Sequence, residues 1–204
     1  MLTLHHCPHS RSTRIIALLA EMGIAKQVEI HRVTVRRQDG GGGIDPTNPH
    51  PEGKVPILDH DGALISETAA IINYLTELFP KTGFAPERGD ARRGEYLTWL
   101  HWYGAVMEPV VIFTAAELAH PFLATTFRGI PEVSARLSKA LAAQPYLLGE
   151  SYSAADLLVH SPYARFRDLT PQDPKVSDWL ARCMARPSAS YAAEFDAKLV
   201  AALP

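Results

Sequence analysis

A chain of 204 residues with 47% hydrophobic and 21% charged side chains is an ordinary globular composition, long enough to bury a substantial core, and two domains are the better reading than one. Twenty basic against 22 acidic side chains leave a formal charge of -2, which argues against nucleic acid or an anionic membrane as a partner. Two cysteines, Cys7 and Cys183, make no disulfide framework, no apolar run reaches the ~18 residues of a membrane span, and the start Met-Leu-Thr-Leu-His lacks the pattern of a signal peptide, so a cytoplasmic protein is expected.

In chain order, Leu2-Thr3-Leu4 predicts a first strand that runs into the loop His5 to Ser12. A helix follows, with Ile15, Ile16, Leu18, Leu19 and Met22 on its buried side and Gly23 as its stop. Gln27 to Val33 alternates as a second strand, completing a βαβ unit. Arg36 to Pro51, with glycines at 40 to 43, predicts a long, mobile surface loop in which Arg36 and Arg37 form a solvated edge. Val55 to Leu58 and Ala63 to Ile65, separated by Asp59, Asp61 and Gly62, then predict a β-hairpin.

A helix should follow that hairpin at once, with Ser66 as its N-cap, Glu67 in its first turn and Ile71, Ile72, Leu75 and Leu78 down one face. Such a junction has chemical uses, because open N–H groups at a helix start bind a carboxylate while a Glu beside them holds an amine. Pro56 stands where a strand opens, either unpaired or cis, and leaves the Val55 backbone free for an extended guest. A hairpin and helix with no ligand satisfy the same spacing.

Phe79 to Pro86 reads as a linker, after which strand signals nearly vanish. Tyr96, Leu100, Tyr103, Met107 and Val110 predict a long amphipathic helix over 92–117, kinked at Pro109 and with His120-Pro121 closing the region. Further helices are expected over 131–143, 173–186 and 188–203. Ser153-Ala154-Ala155-Asp156 has capping-box spacing before the apolar run Leu157 to Val159, so Asp156 is read as structural.

Taken together, the βαβ and ββα halves, the Gly53-Lys54-Val55-Pro56 and Glu67-Thr68 motifs, the linker and the capped central helix resemble the cytosolic glutathione transferases over nearly the whole length. Ser10-Arg11-Ser12-Thr13-Arg14 is similar to the first loop of the bacterial and fungal serine-using branch. The resemblance implies a thioredoxin-like α/β N-terminal domain over 1–79, a linker over 80–88 and an all-α domain over 89–204, assembled as a homodimer. It implies glutathione as co-substrate, with Glu67 and Thr68 on the γ-glutamyl group, the Val55 backbone on the cysteinyl unit, Pro56 cis and Lys54 on the glycyl carboxylate.

Glutathione chemistry needs a thiolate, and an unperturbed thiol has a pKa of about 8.5. Ser10, two residues after Pro8 as in serine-using members, is the expected hydroxyl donor to the sulfur, with Ser12 as the local alternative or a simple helix cap. Cys7 before Pro8 resembles instead the omega-type transferases and dehydroascorbate reductases, whose own thiol forms a mixed disulfide with glutathione. A small apolar electrophile is expected between the first loop and the long helix, near Tyr103, Met107, Trp102 and Val106, each of which also reads as helix core. His5, His6, Cys7 and His9 do not converge in a strand, so no metal is expected, and the other histidines read as solvated or packed. A non-catalytic binding or scaffold protein of the same fold is the further alternative.

Overall fold

The computed structural model describes residues 1–202, so Leu203, assigned above to the last helix, lies outside the described residues. Two compact units are present, one built from Met1–Thr82 with the final helix and the other from Gly83–Arg186.

The first unit runs β1 (Leu2–His6), α1 (Thr13–Glu21), β2 (Val28–Arg32), β3 (Ile57–His60), β4 (Ala63–Ser66) and α2 (Thr68–Leu78). Its sheet has the order β2-β1-β3-β4, with β1 parallel to β2 and antiparallel to β3, and β4 antiparallel to β3: a thioredoxin-like arrangement. The parallel pair requires a crossover, and α1 supplies it. In the β3–β4 turn, Asp61 and Gly62 both have positive φ, 53° and 91°, which suits the twist of the flanking strands, and Gly62 N–H donates to Asp59 Oδ1 at 2.7 Å. Leu4, Ile15, Leu18, Leu58, Ile71, Ile72 and Leu75 are completely buried and form the core.

Two local expectations change. β3 begins at Ile57 rather than Val55, because Pro56 has no N–H for the ladder; the Val55–Pro56 peptide is cis. Ser66 is the last residue of β4 and caps nothing; the chain reverses at Glu67, whose φ of 68° and ψ of 124° start α2 without a side-chain cap.

The second unit contains α3 (Arg93–Trp102), α4 (Glu108–Ala115), α5 (Pro121–Thr126), α6 (Ile130–Leu141), α7 (Ala154–His160) and α8 (Pro174–Met184). The predicted kink at Pro109 is displaced: Tyr103–Met107 forms a π-helical turn between α3 and α4, closed by Glu108 N–H on the Tyr103 carbonyl. Pro109 lies in the first turn of α4, where its missing N–H is tolerated, and the irregularity falls just before it. His120-Pro121 opens a helix rather than ending one, with His120 Nδ1 accepting from Phe122 N–H at 3.2 Å. The capping box at α7 is formed, and residues 154–159 are all buried.

The final helix, α9 (Pro187–Ala201), was grouped on sequence with the helical half, yet it packs on α1 in the first unit. Ser188, Ala192 and Asp196, spaced four apart, are its buried stripe, and Ser188 Oγ donates to Glu21 Oε1 at 2.6 Å. Among the described residues no helix is long and apolar enough to cross a membrane.

Candidate functional site

The loop from β1 to α1 is organised by one buried hydroxyl. Ser12, at the start of α1, makes no side-chain cap; its Oγ lies 2.7 Å from His6 Nδ1 and 2.7 Å from Ser10 Oγ, and accepts from Cys7 N–H at 3.1 Å. Helix capping is therefore not what Ser12 does. Ser10 is half-buried, donates its hydroxyl to the Cys7 carbonyl at 2.7 Å and accepts from Ser12 N–H at 3.2 Å.

Behind Ser12 the contacts pass to α9. His6 Nε2 lies 2.9 Å from Asp196 Oδ1, while Asp196 Oδ2 accepts from His9 N–H at 2.7 Å and from Thr13 Oγ1 at 2.6 Å. His6, Ser12 and Asp196 are essentially inaccessible, at 0%, 0% and 1%. Burial works against ionisation of Asp196, but the donors His6, Thr13 and His9 N–H outweigh it and hold the carboxyl below the ordinary carboxylate range. The same carboxylate anchors His9, a non-glycine residue at φ 58°.

Cys7 is also buried, and its Sγ lies 3.5 Å from Arg37 Nη2, which donates to the Pro8 carbonyl at 3.0 Å. A cavity of about 190 Å³ opens beside it, with Val33, Val35, Gly42 and Val200 in its wall. Gly42, at φ 72°, passes so close to the Val35 carbonyl that an added Cβ would lie 2.0 Å from its oxygen. Arg36 and Arg37 are exposed, as the solvated edge read from the sequence requires, and the Arg37 guanidinium is in addition turned onto the first loop. Val55, Pro56, Glu67 and Thr68 do not line this cavity.

Those four residues gather where β3 starts and β4 ends. Val55 and Pro56 precede the ladder, whose first pair is Ile57 with Ser66. Glu67 is exposed and Thr68 half-buried. The first backbone bond of α2 runs from Ile71 N–H to the Glu67 carbonyl, so the N–H groups of Thr68, Ala69 and Ala70 stand ahead of the helical ladder. Exposed Lys54 is ion-paired with Glu52, which raises its pKa; Glu67 raises it further and Arg11 opposes.

Within the helical unit, the cavity beside Trp102 does not include Tyr103, Met107 or Val106. Met107 and Tyr103 are buried, and Tyr103 O–H donates to Glu108 Oε1 at 2.8 Å. Trp102 packs edge-on against Trp99, beneath the Arg136 guanidinium at 4.6 Å, and borders a separate cavity of about 450 Å³ that includes none of the other three. Val106 is half-buried. The helical period that grouped the four identifies a packed seam. As for a metal, His5 and His6 face opposite ways, His5 against the His31 ring and His6 against Asp196, and no group of three ligands forms among the described residues.

His6, Asp196 and Arg37 are the residues that sequence reasoning passed over. Only Asp196 carried a usable signal: a carboxylate four residues from Ala192 sits on the small-residue stripe of its helix, where an unpaired charge is costly.

Residues 4–83 match the family described as the glutathione S-transferase N-terminal domain. Glutathione S-transferase 3 of Schizosaccharomyces pombe is 29% identical over 215 aligned positions, covering 95% of this chain and 87% of that protein. A glutathione transferase structure from Methylococcus capsulatus superposes with a TM-score of 0.74 at 25% identity, covering 97% of this chain and 100% of the other. A sphingomonad glutathione S-transferase, complexed with glutathione, shares the fold with a TM-score of 0.76 at 23% identity, covering 96% and 98%. These matches support the glutathione S-transferase superfamily.

Proposed function

We propose that this chain, whose residues 4–83 match the glutathione S-transferase N-terminal domain, is a glutathione transferase in which Ser10 donates its hydroxyl to the glutathione sulfur. The observation that carries the reading is the uncapped start of α2 at Glu67, next to the end of the β3–β4 ladder where Val55 and Pro56 stand. Three open N–H groups and the Thr68 hydroxyl suit the γ-glutamyl carboxylate, and Glu67 suits its amine. The Val55 backbone, outside the ladder at the cis peptide, can pair with the cysteinyl unit. Lys54 reaches the glycyl carboxylate by exchanging Glu52 for it.

Held this way, the sulfur needs stabilisation only as an anion. Lowering a thiol pKa from about 8.5 by about two units takes roughly 2.7 kcal/mol, within reach of one hydroxyl donor and a positive helix end. Ser10 spends its hydroxyl on the Cys7 carbonyl in the free protein, so it turns outward when the thiolate arrives. The thiolate then attacks a small apolar electrophile, positioned for conjugation or halide displacement. Half-buried Val106 and buried Trp102, Tyr103 and Met107 are the residues of the helical unit assigned to that electrophile. We further assign a homodimer in the cytoplasm, with the dimer read by light scattering.

A second reading rests on Cys7, whose Sγ lies 3.5 Å from Arg37 Nη2 beside the cavity: a thiol oxidoreductase forming a mixed disulfide with glutathione. The burial of Cys7 weighs against it. Conjugation of glutathione to a chlorinated nitrobenzene separates the two. Ser10→Ala is expected to lose about a hundredfold in kcat and Cys7→Ala little. The reverse pattern transfers the protein to the redox class, and failure of the wild type to bind glutathione leaves a non-catalytic binding or scaffold role.

A further inference from the structure

We propose that the His6–Asp196 pair, reached through Ser12 and Ser10, is the acceptor for the proton that glutathione loses on becoming a thiolate. The inference rests on Ser10 receiving the sulfur. It concerns where the proton goes, a destination that a hydroxyl alone does not provide, because serine must give up one proton for each it takes.

The geometry supplies a continuous path. Ser10 Oγ and Ser12 Oγ are 2.7 Å apart, Ser12 Oγ and His6 Nδ1 are 2.7 Å apart, and His6 Nε2 is 2.9 Å from Asp196 Oδ1. The carboxylate accepts only, so Nε2 carries the ring hydrogen and Nδ1 presents a lone pair to the Ser12 hydroxyl. The Cys7 carbonyl competes for both hydroxyls, at 3.2 Å for Ser12, longer than its contact to Nδ1, and at 2.7 Å for Ser10, equal to the Ser10–Ser12 distance, so the Ser10 hydroxyl turns from that carbonyl to Ser12 as the thiol proton arrives. Only Ser10 is accessible; the interior members are sealed, so the transferred proton is held in the protein rather than shared with water.

The thiol S–H bond breaks and its proton bonds to Ser10 Oγ; the Ser10 hydroxyl proton moves to Ser12 Oγ, and that of Ser12 moves to His6 Nδ1. Both serines end neutral. The sulfur keeps its electron pair, and His6 becomes an imidazolium facing the Asp196 carboxylate. The hydroxyls are left reversed, with Ser10 O–H directed at the thiolate, the orientation that stabilises it. His6 is thus a positioning residue as well as a proton store.

The charged and titratable surroundings of His6 are Asp196 from α9, Arg32 beside it in register on β2, Cys7 next in the chain, and the exposed His9 ring, whose Nδ1 lies 3.7 Å from Asp196 Oδ2. Thr13 adds a neutral donor to Asp196, and the Phe195 ring covers the imidazole edge-on at 5.9 Å. Among the described residues, Asp196 is the carboxylate that these contacts bring to His6.

The test uses the wild-type chain at neutral pH, following the ring-nitrogen resonances of His6 and the ultraviolet absorbance of the bound thiolate as glutathione is added. Expected is a neutral, Nε2-protonated ring that becomes doubly protonated as the thiolate band grows, with less than one proton released to buffer per thiolate formed. A thiolate forming while His6 stays neutral overturns the inference and leaves the transferase reading intact. Glutathione that does not bind, or binds without any thiolate band, overturns both. As a second measurement, folded Asp196→Asn should shift the pH at which bound glutathione ionises upward by about one unit, with about tenfold less thiolate at neutral pH, at little change in glutathione affinity. An unshifted titration in that variant counts against the relay.

Discussion

Asp156 and Asp196 are both sealed from solvent and both saturated with donors, yet one is assembled from its own neighbourhood and the other from the far end of the chain. Asp156 accepts from Leu147 N–H, from Ser153 N–H and Oγ, and from Trp179 Nε1, all at 2.7 to 2.9 Å. Asp196 accepts from His6, His9 and Thr13, more than 180 residues away along the chain. The first makes a helix start at a particular residue. The second ties the last helix to the loop that carries Ser10. Their ionisation differs as well: burial dominates at Asp156 and pushes its carboxyl up, whereas the donors at Asp196 win and hold it down.

That contrast can be broken most severely at Asp156. Asp156→Ala leaves two buried backbone N–H groups and the Trp179 indole without an acceptor, and is expected to cost about 4 kcal/mol or more in urea unfolding. Asp196→Ala should cost somewhat less, about 3 kcal/mol, since it strips charge-assisted bonds from a loop and a helix face instead of from the centre of a helical core. Unlike Asp156→Ala, it should also depress conjugation by freeing the first loop.

Acid sharpens the comparison because the two signs are opposite. The folded-state pKa of Asp196 lies below its ordinary value of 3.8, so the unfolded chain binds more protons between the two values. Its contribution is fully present above the ordinary value and is lost as pH falls through the folded one. For Asp156 the folded value lies above 3.8, so its titration works the other way, lowering stability as pH rises through that interval. Acid unfolding curves of wild type and Asp196→Asn should therefore converge as pH drops below 3.8.

The smallest effect separates the two helix starts. Ser153→Ala should destabilise by about 1 kcal/mol, the ordinary worth of an N-cap, whereas Ser66→Ala should change stability by less than about 0.5 kcal/mol because Ser66 ends a strand. A loss at Ser66 equal to that at Ser153 would mean that α2 is capped in solution.

These outcomes follow the line between what was legible and what was not. The strands, the Asp-Gly hairpin turn, the α7 box and the cluster of Val55, Pro56, Glu67 and Thr68 rest on residues close in sequence, where turn chemistry and side-chain period act directly. The Ser66 cap was misread because Glu67 adopts a positive φ that no propensity assigns to glutamate. The Pro109 kink was misplaced because the helix absorbs the missing N–H one turn earlier.

By itself, the sequence determined a βαβ unit and a hairpin-helix followed by a helical half, and the junction at which an anion-ready helix start meets Glu67. Only the tertiary structure decided that α9 packs on α1, that Arg37 reaches Cys7, and that the hydroxyls of Ser10 and Ser12 end on His6 and Asp196. The physical reason is range. Periodicity and capping act over a few residues, whereas a buried carboxylate is satisfied by whichever donors packing brings to it, and here those donors lie at the opposite end of the chain.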